Sequence, residues 1–457
     1  MDNPQILQFP TNFHFGSATA AFQVEGNSGE RNTDWDIFFK NNPGIIKPNE
    51  VGPQWWVKGK AEEDLTAMAG IGLKIQRLSM DWGRIEPEKG VINYSAIRRY
   101  KEIIKKIFEL GMSPMVTLNH YALPSWVAKE GSWEGKHIGL YFERHTELMV
   151  AEFPEVTHWI TLNEPNIVII MAYISHFFPP QRNNIFAAIK ARRNMIEAHE
   201  RAYHVIKNGN PNAKVGVAFS FRRDRPQNPH DQIERLYTKA LNYFTELGYV
   251  DAMLKHSDYI GCNYYTGYYV NFNPLKVNLF IHLKRHRIPK TLIFGEMVSP
   301  HTYESDFGWP IVPDFLLNIL RILNRKYKNM PIIITENGIA DHNDRYRAMY
   351  ILTHLVAVWR ALQEGIPIRH YLHWSTVDNI EWIEGYTKCF GLLANDPVTG
   401  ERTLRKSAHL YKDIALSGKI DIKRLIDTYI EEETHKENTT RIINRLLKGK
   451  LTHSGEK

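Results

Sequence analysis

The stretch Pro-Ile-Ile-Ile-Thr-Glu-Asn-Gly-Ile at residues 331–339 shows a pattern that recurs along the chain. Ile332, Ile333, Ile334 and Thr335 read as a strand buried on both faces, and the run stops at Glu336-Asn337-Gly338. His158-Trp159-Ile160-Thr161-Leu162 stops in the same way, at Asn163-Glu164-Pro165. Further strand-like runs occupy 73–79, 114–120, 214–219, 259–265 and 369–374. A run of small residues over 13–23 reads as a strand ending in the polar Gln23. Helical periodicity fills the intervals. Ile97, Tyr100, Ile103, Ile104, Ile107 and Phe108 recur at steps of three and four, with Gly111 where a C′ glycine belongs, so a helix is predicted over 94–110. A helix with Leu65 and Met68 on one face precedes it, and others are predicted near 140–152, 187–206 and 232–247.

Eight strands alternating with helices predict a single (β/α)8 TIM barrel, an α/β fold, and not two sandwich domains. Residues 1–418 are assigned to that domain. Length beyond a minimal barrel falls in long strand-to-helix loops at 26–54, 165–186 and 266–313, where a cleft would be built. Two glutamates at strand ends would then converge on one mouth, which is what glycoside hydrolysis requires. Residues 419–457 are expected to form a C-terminal helical extension. Ile422, Leu425, Ile426, Tyr429 and Ile430, then Ile442, Ile443, Leu446 and Leu447, space as two amphipathic helices. They either pack outside the barrel or make a contact in a homo-oligomer.

The 457 residues are 43% hydrophobic and 12% aromatic, which supplies a large core and excludes general disorder. A net charge of +7 comes from 57 basic and 50 acidic residues spread along the chain, so no nucleic-acid partner is implied. Cys262 and Cys389 are the only cysteines, and a disulfide framework is not expected. No signal-like start and no apolar run of about 18 residues appear, so a cytoplasmic protein without a membrane partner is the expectation. His282 and His286 stand in a basic stretch with no carboxylate or cysteine to complete a ligand set. They read as a solvated loop, and neither metal nor cofactor is expected.

Five motifs in order resemble glycoside hydrolase family 1, the β-glucosidases. They are Phe-Gly-Ser-Ala-Thr-Ala-Ala-Phe-Gln-Val-Glu-Gly (15–26), Thr-Leu-Asn-Glu-Pro-Asn (161–166), Asn-Tyr-Tyr-Thr (263–266), Thr-Glu-Asn-Gly (335–338) and Trp-Ser-Thr-Val-Asp-Asn-Ile-Glu-Trp (374–382). Asn-His-Tyr-Ala-Leu-Pro-Ser-Trp (119–126) is most similar to the archaeal-type branch. The resemblance implies a retaining exo-β-glycosidase acting on terminal β-D-glucosides, and on galactosides or fucosides, through Glu336 as nucleophile and Glu164 as acid/base, about 5–5.5 Å apart. It implies Arg77 and Tyr265 as partners of Glu336, and Asn163 as the contact to the sugar 2-OH. Gln23, His120, Glu381 and Trp382 would hold the other hydroxyls, over Trp374 as apolar floor. Glu381 and Phe390 distinguish this pattern from the family's 6-phosphoglycosidases, which have Ser and Tyr there.

Three positions depart from the family pattern. Tyr121 stands where Trp is usual, Gln76 where Tyr is usual, and Cys389 where Arg is usual. Lys388 is common to both branches. The alternatives to hydrolysis of neutral glycosides are a noncatalytic sugar-binding barrel and a 6-phospho-β-glycosidase.

Overall fold

The computed structural model describes residues 5–26, 31–273, 291–292, 295–298 and 302–449. Eight strands close into a barrel: β1 (His14–Ala18), β2 (Ile75–Ser79), β3 (Ser113–Asn119), β4 (His158–Asn163), β5 (Lys214–Phe221), β6 (Tyr259–Tyr264), β7 (Ile332–Asn337) and β8 (Ile368–Trp374). Every neighbouring pair is parallel, and β8 returns to β1 with His370 opposite His14. The matching helices are α1 (Lys60–Gly70), α2 (Tyr94–Glu109), α3 (Ile138–Glu152), α4 (Ile185–Gly209), α5 (Gln232–Asn242), α6 (Pro313–Lys326), α7 (Arg347–Gln363) and α8 (Lys406–Ser417). This is the (β/α)8 arrangement that the strand–helix alternation predicts.

Two apolar layers hold it. Ile75, Met115, Ile160, Tyr259, Ile333 and Leu372, each from a different strand, pack on one another inside the barrel. Outside, helix stripes cover the strands; on α2 the buried set includes Ile97, Tyr100, Ile103, Ile104 and Ile107. Phe108, counted in that stripe from the spacing, is instead 43% exposed. Each buried member stabilises the layer by about 1.5–3 kcal/mol relative to exposure.

Several details differ from the sequence expectation. Strand β1 ends at Ala18, and Gln23 lies in a helical turn, Ala21–Val24, fixed where the Ala21 amide donates to Ser79 Oγ at 2.7 Å. The long loops carry structure of their own. Thr33 caps a helix over Asp34–Asn41, and a four-stranded sheet is built from Arg225–Pro226, Tyr269–Phe272, Gly295–Val298 and Thr291–Leu292. A hairpin joins Leu393–Asn395 to Arg402–Leu404. Strands this short leave little periodic signal. His282 and His286 lie outside the described residues.

Beyond 418, Lys419–Asp421 pairs antiparallel with Ile6–Gln8, tying the segment before the first barrel strand to the one after α8. Helices α9 (Ile422–Tyr429) and α10 (Glu433–Leu447) follow. Leu425, Ile443 and Leu446 are buried in the outer apolar layer, and Arg360 of α7 donates to Leu447 O at 3.1 Å. No described helix is long and apolar enough to cross a membrane.

Candidate active site

Glu336 is the fifth residue of β7, and Glu164 directly follows β4. The chain turns sharply at Glu164, which takes a left-handed φ of 45° while its amide donates to Ala218 O of β5 at 2.7 Å. Pro165 then opens the one-turn helix Pro165–Val168, where a fixed φ suits the first position and no N–H is needed. The carboxyl is thereby aimed over the barrel mouth. After Glu336 the chain passes so close to β8 that a Cβ on Gly338 would stand 1.9 Å from Trp374 O. Only glycine fits there.

One hydrogen-bond network joins the two carboxylates. Arg77 Nη1 donates to Glu336 Oε1 at 2.6 Å and to Thr335 O at 3.2 Å, while its Nη2 donates to Asn163 Oδ1 at 2.7 Å. Its Nε donates to Thr117 Oγ1 at 3.1 Å. Tyr265 OH donates to Glu336 Oε2 at 2.5 Å. Asn263 Nδ2 bridges Asn163 Oδ1 at 3.1 Å and Glu164 Oε1 at 2.9 Å, and Tyr121 OH donates to Glu164 Oε2. Since Asn163 Oδ1 receives two donors, its amide nitrogen faces His120 Nε2 at 3.1 Å, which fixes that ring nitrogen as the acceptor.

The two carboxyls differ in what opposes their burial. Burial first, then Glu336, pushes Glu164 up to about 7, against hydrogen bonds from Tyr121 and Asn263 and the more remote Arg77. Burial also raises Glu336, but there the Arg77 charge opposes it most strongly, followed by hydrogen bonds from Tyr265 and Arg77. A proton shared by this coupled pair therefore resides on Glu164, leaving Glu336 ionised beside the guanidinium. Burial and then Arg77 hold His120 well below its ordinary value, so the imidazole is neutral.

A ring of polar and aromatic groups surrounds the pair. Gln23 Nε2 donates to Ile380 O at 2.7 Å, Asn379 Oδ1 at 3.0 Å and Glu381 Oε2 at 3.4 Å. Gln23 Oε1 and His120 Nδ1 are buried with no hydrogen-bond partner. His120 stacks on Trp374 at 5.6 Å and on Trp382 at 6.1 Å between ring centres. Phe390 meets Tyr265 edge-on at 5.8 Å. Burial, then Glu336 and Glu164, pushes Glu381 up to about 8. Glu381 is thereby held protonated near neutral pH.

The catalytic and sugar-binding residues that the resemblance implies thus lie around the barrel mouth. Two participants were missed as such. Asn263 stood inside a quoted motif at a strand end, which was the available signal, and Tyr121 was read only as a departure. Gln76 points away from the pair: its side chain joins Ser17 and Thr376 by bonds of 3.0 and 3.2 Å. Cys389 Sγ lies 3.3 Å from His342 Nδ1. Lys388 Nζ donates to Asp306 O at 2.8 Å. The one trio with metal-ligand spacing among the described residues, Glu200, His204 and His256, belongs to α4 and the turn Leu254–His256.

Comparison with known proteins adds to this geometry. The profile of "Glycosyl hydrolase family 1" matches residues 5–259 and 232–419. The chain is 29% identical to β-glucosidase A of Thermotoga maritima over 458 residues, covering 90% of this chain and 98% of that protein. It is 33% identical over 385 residues to the chloroplastic galactolipid galactosyltransferase SFR2 of Arabidopsis thaliana, covering 79% of this chain and 58% of that one. A solved family 1 β-glucosidase from Thermotoga maritima superposes with a TM-score of 0.82 at 27% identity, covering 91% of this chain and all of that one.

Proposed function

Because this chain belongs to glycosyl hydrolase family 1 and is a β-glycosidase, we propose that it removes terminal β-D-glucose from the nonreducing end of small glycosides by a retaining double displacement. The observation that carries this reading is the unequal pair: a carboxyl raised to about 7 at Glu164, and a carboxylate held by Arg77 and Tyr265 at Glu336. In the first step a Glu336 oxygen attacks the anomeric carbon. The bond from that carbon to the leaving oxygen breaks, and the Glu164 proton passes to the departing oxygen. Glu164, now a carboxylate, takes a proton from water as the water oxygen displaces Glu336 from the same carbon. Retention follows from two inversions.

Asn163 is the contact to the 2-OH, and the unpartnered Gln23 Oε1 and His120 Nδ1 are acceptor and donor for other sugar hydroxyls. Glu381 and Trp382 complete the hydroxyl contacts, with Trp374 beneath the ring and Phe390 at its edge. Galactosides and fucosides are further substrates in this reading. The buried arginine and the two unpartnered polar atoms favour a working sugar site over a closed, noncatalytic barrel. We assign the enzyme to the cytoplasm, with residues 419–449 as a flank of the same domain.

Incubation with a 2-deoxy-2-fluoro-β-glucoside bearing a good leaving group tests the assignment. Fluorine removes the bond to Asn163 and slows both steps, while the leaving group keeps the first one fast. One sugar per chain is expected on the peptide containing Ile334-Thr335-Glu336-Asn337. A label on Glu164, or product of inverted configuration by NMR, would exchange or abolish the two roles.

A further inference from the structure

Helix α5 is built with its polarity reversed. Its buried residues are Glu234, Thr238 and Asn242, and Glu246 continues the row at the same spacing of four; all are polar. Outward stand Ile233, Leu236, Tyr243 and Phe244, with Leu236 70% and Phe244 75% exposed. The inner row is accounted for by a loop whose amides it satisfies. Glu246 Oε1 accepts from the amides of Arg222 and Arg223 at 3.0 and 2.9 Å, and Asn242 exchanges two bonds with the Asp224 backbone at 3.1 and 2.8 Å. Glu234 Oε2 accepts from the Asn228 amide at 2.7 Å. Polar pegs therefore orient the helix; Tyr237 and Leu241 pack on Tyr268 and Val270, and the remaining large apolar residues face solvent as a consequence.

The outer row continues onto a neighbour. Helix α4 opens with Ile185, Phe186 and Ile189 exposed, Phe186 by 78%. Three residues after Ile189, Arg192 donates to Gly248 O at 2.8 Å, which seats this helix beside the end of the 243–247 segment. Exposed apolar groups on neighbouring helices mark an interaction site. Its charge is mainly positive. A groove of about 830 Å³ under Leu236, Tyr243 and Phe244 is lined by Arg223, Arg235, Lys239 and Arg325, and the one carboxylate in the groove lining, Asp224, is paired with Arg222. Arg235, Lys239 and Arg325 form no salt bridge among the described residues, whereas Arg223, whose Nε is buried there with no hydrogen-bond partner, interacts with Glu246 and Asp224. A second copy docked face to face would set these cations against themselves, because a two-fold contact brings the same patch to both sides.

We propose that this face lies on an anionic lipid surface. Phe186, Leu236 and Phe244 enter the head-group layer, and Arg235, Lys239 and Arg325 meet the lipid phosphates. Bulky apolar tips ringed by cations suit a protein lying on a membrane, which is compatible with the absence of a spanning helix among the described residues. This proposal departs from the expectation of no membrane partner. The surface is separate from the carboxylate pair, so the proposal does not depend on the glycosidase mechanism.

Cosedimentation of the full chain with vesicles of phosphatidylglycerol and phosphatidylcholine tests it. Binding is expected at low salt, falling as salt rises, with far less on phosphatidylcholine alone. Reversing Arg235 and Lys239 to Glu should weaken partition by at least about 25-fold, taking roughly fivefold per cation near an anionic leaflet. Leu236→Asp with Phe244→Asp should release the protein from vesicles, and both double variants should keep wild-type turnover of a soluble aryl β-glucoside. The proposal is overturned if the wild type ignores phosphatidylglycerol vesicles. It is equally overturned if the Leu236/Phe244 variant binds them undiminished, which would mark plain charge attraction. A wild-type dimer in gel filtration that this variant converts to monomer would make the face a self-association surface instead.

Discussion

Tyr121 offers the sharpest test of how the proton is allotted, because the usual residue at its position, Trp, has no hydroxyl. Its OH donates to Glu164 Oε2, and burial and the neighbouring Glu164 keep the phenol itself well above its ordinary value, so it remains a donor across the working range. A donor to a carboxylate favours the charged form and lowers that group's pKa. Tyr121→Phe removes the donor while keeping the ring that packs on Trp382 at 4.8 Å and Phe178 at 5.6 Å. A hydrogen bond to a charged group contributes roughly 1.5–3 kcal/mol, which converts to about 1–2 pKa units. Asn263 still donates to the other oxygen, so the lower end applies, and Glu164 should rise from about 7 by roughly one unit. The sign then fixes the observable. The acid must be protonated in the first step, so the alkaline limb of kcat/KM on a substrate with a poor leaving group should move up by about one pH unit. The acid limb, set by ionised Glu336, should stay near its place. An alkaline limb that stays put or moves down would refute both the donor role of Tyr121 and the placement of the proton on Glu164.

Other outcomes follow from the same network. Glu164→Ala should cripple glycosides with poor leaving groups far more than activated aryl glycosides, and azide should restore turnover as a β-glycosyl azide; a uniform loss without rescue would count against the acid/base role. Arg77→Met strands Glu336 in a buried site, an effect of roughly 3–5 kcal/mol or about two to four orders of magnitude in kcat/KM if all of it is felt in the transition state. Unchanged kinetics and melting temperature would contradict that. For Glu381, raised to about 8, ionisation on the alkaline side adds repulsion towards a 6-phosphate. Discrimination in kcat/KM against 6-phosphoglucosides should therefore widen as pH rises through about 8, and Glu381→Gln should flatten that dependence.

Why some of this was legible in the chain and some was not has a physical answer. The barrel was readable because its strands are largely buried on both faces, so Ile332 to Ile334 is continuously apolar and Trp159 to Leu162 is interrupted only by Thr161. The carboxylates were readable because a charged residue at the end of such a run can only stand at the rim. Glu381 escaped in part: its identity was plain, but its protonation depends on Glu336 and Glu164, which approach it only in three dimensions. Asn263 is likewise an ordinary amide until β4 and β6 bring Asn163 and Glu164 to it. Helix α5 shows the limit most clearly. A periodic pattern tells which residues share a face and says nothing about which face turns inward. Apolar burial normally decides that, and Ile233, Leu236 and Phe244 would vote for the opposite orientation. Here the backbone amides of 222–228 required acceptors, an unsatisfied buried amide costs about 1–3 kcal/mol, and Glu234, Asn242 and Glu246 supply acceptors for several at once. The polar side was drawn in by that demand, which the loop's own sequence does not display. The apolar residues at 233, 236 and 244 were left outside, where the barrel has no use for them and a lipid surface does.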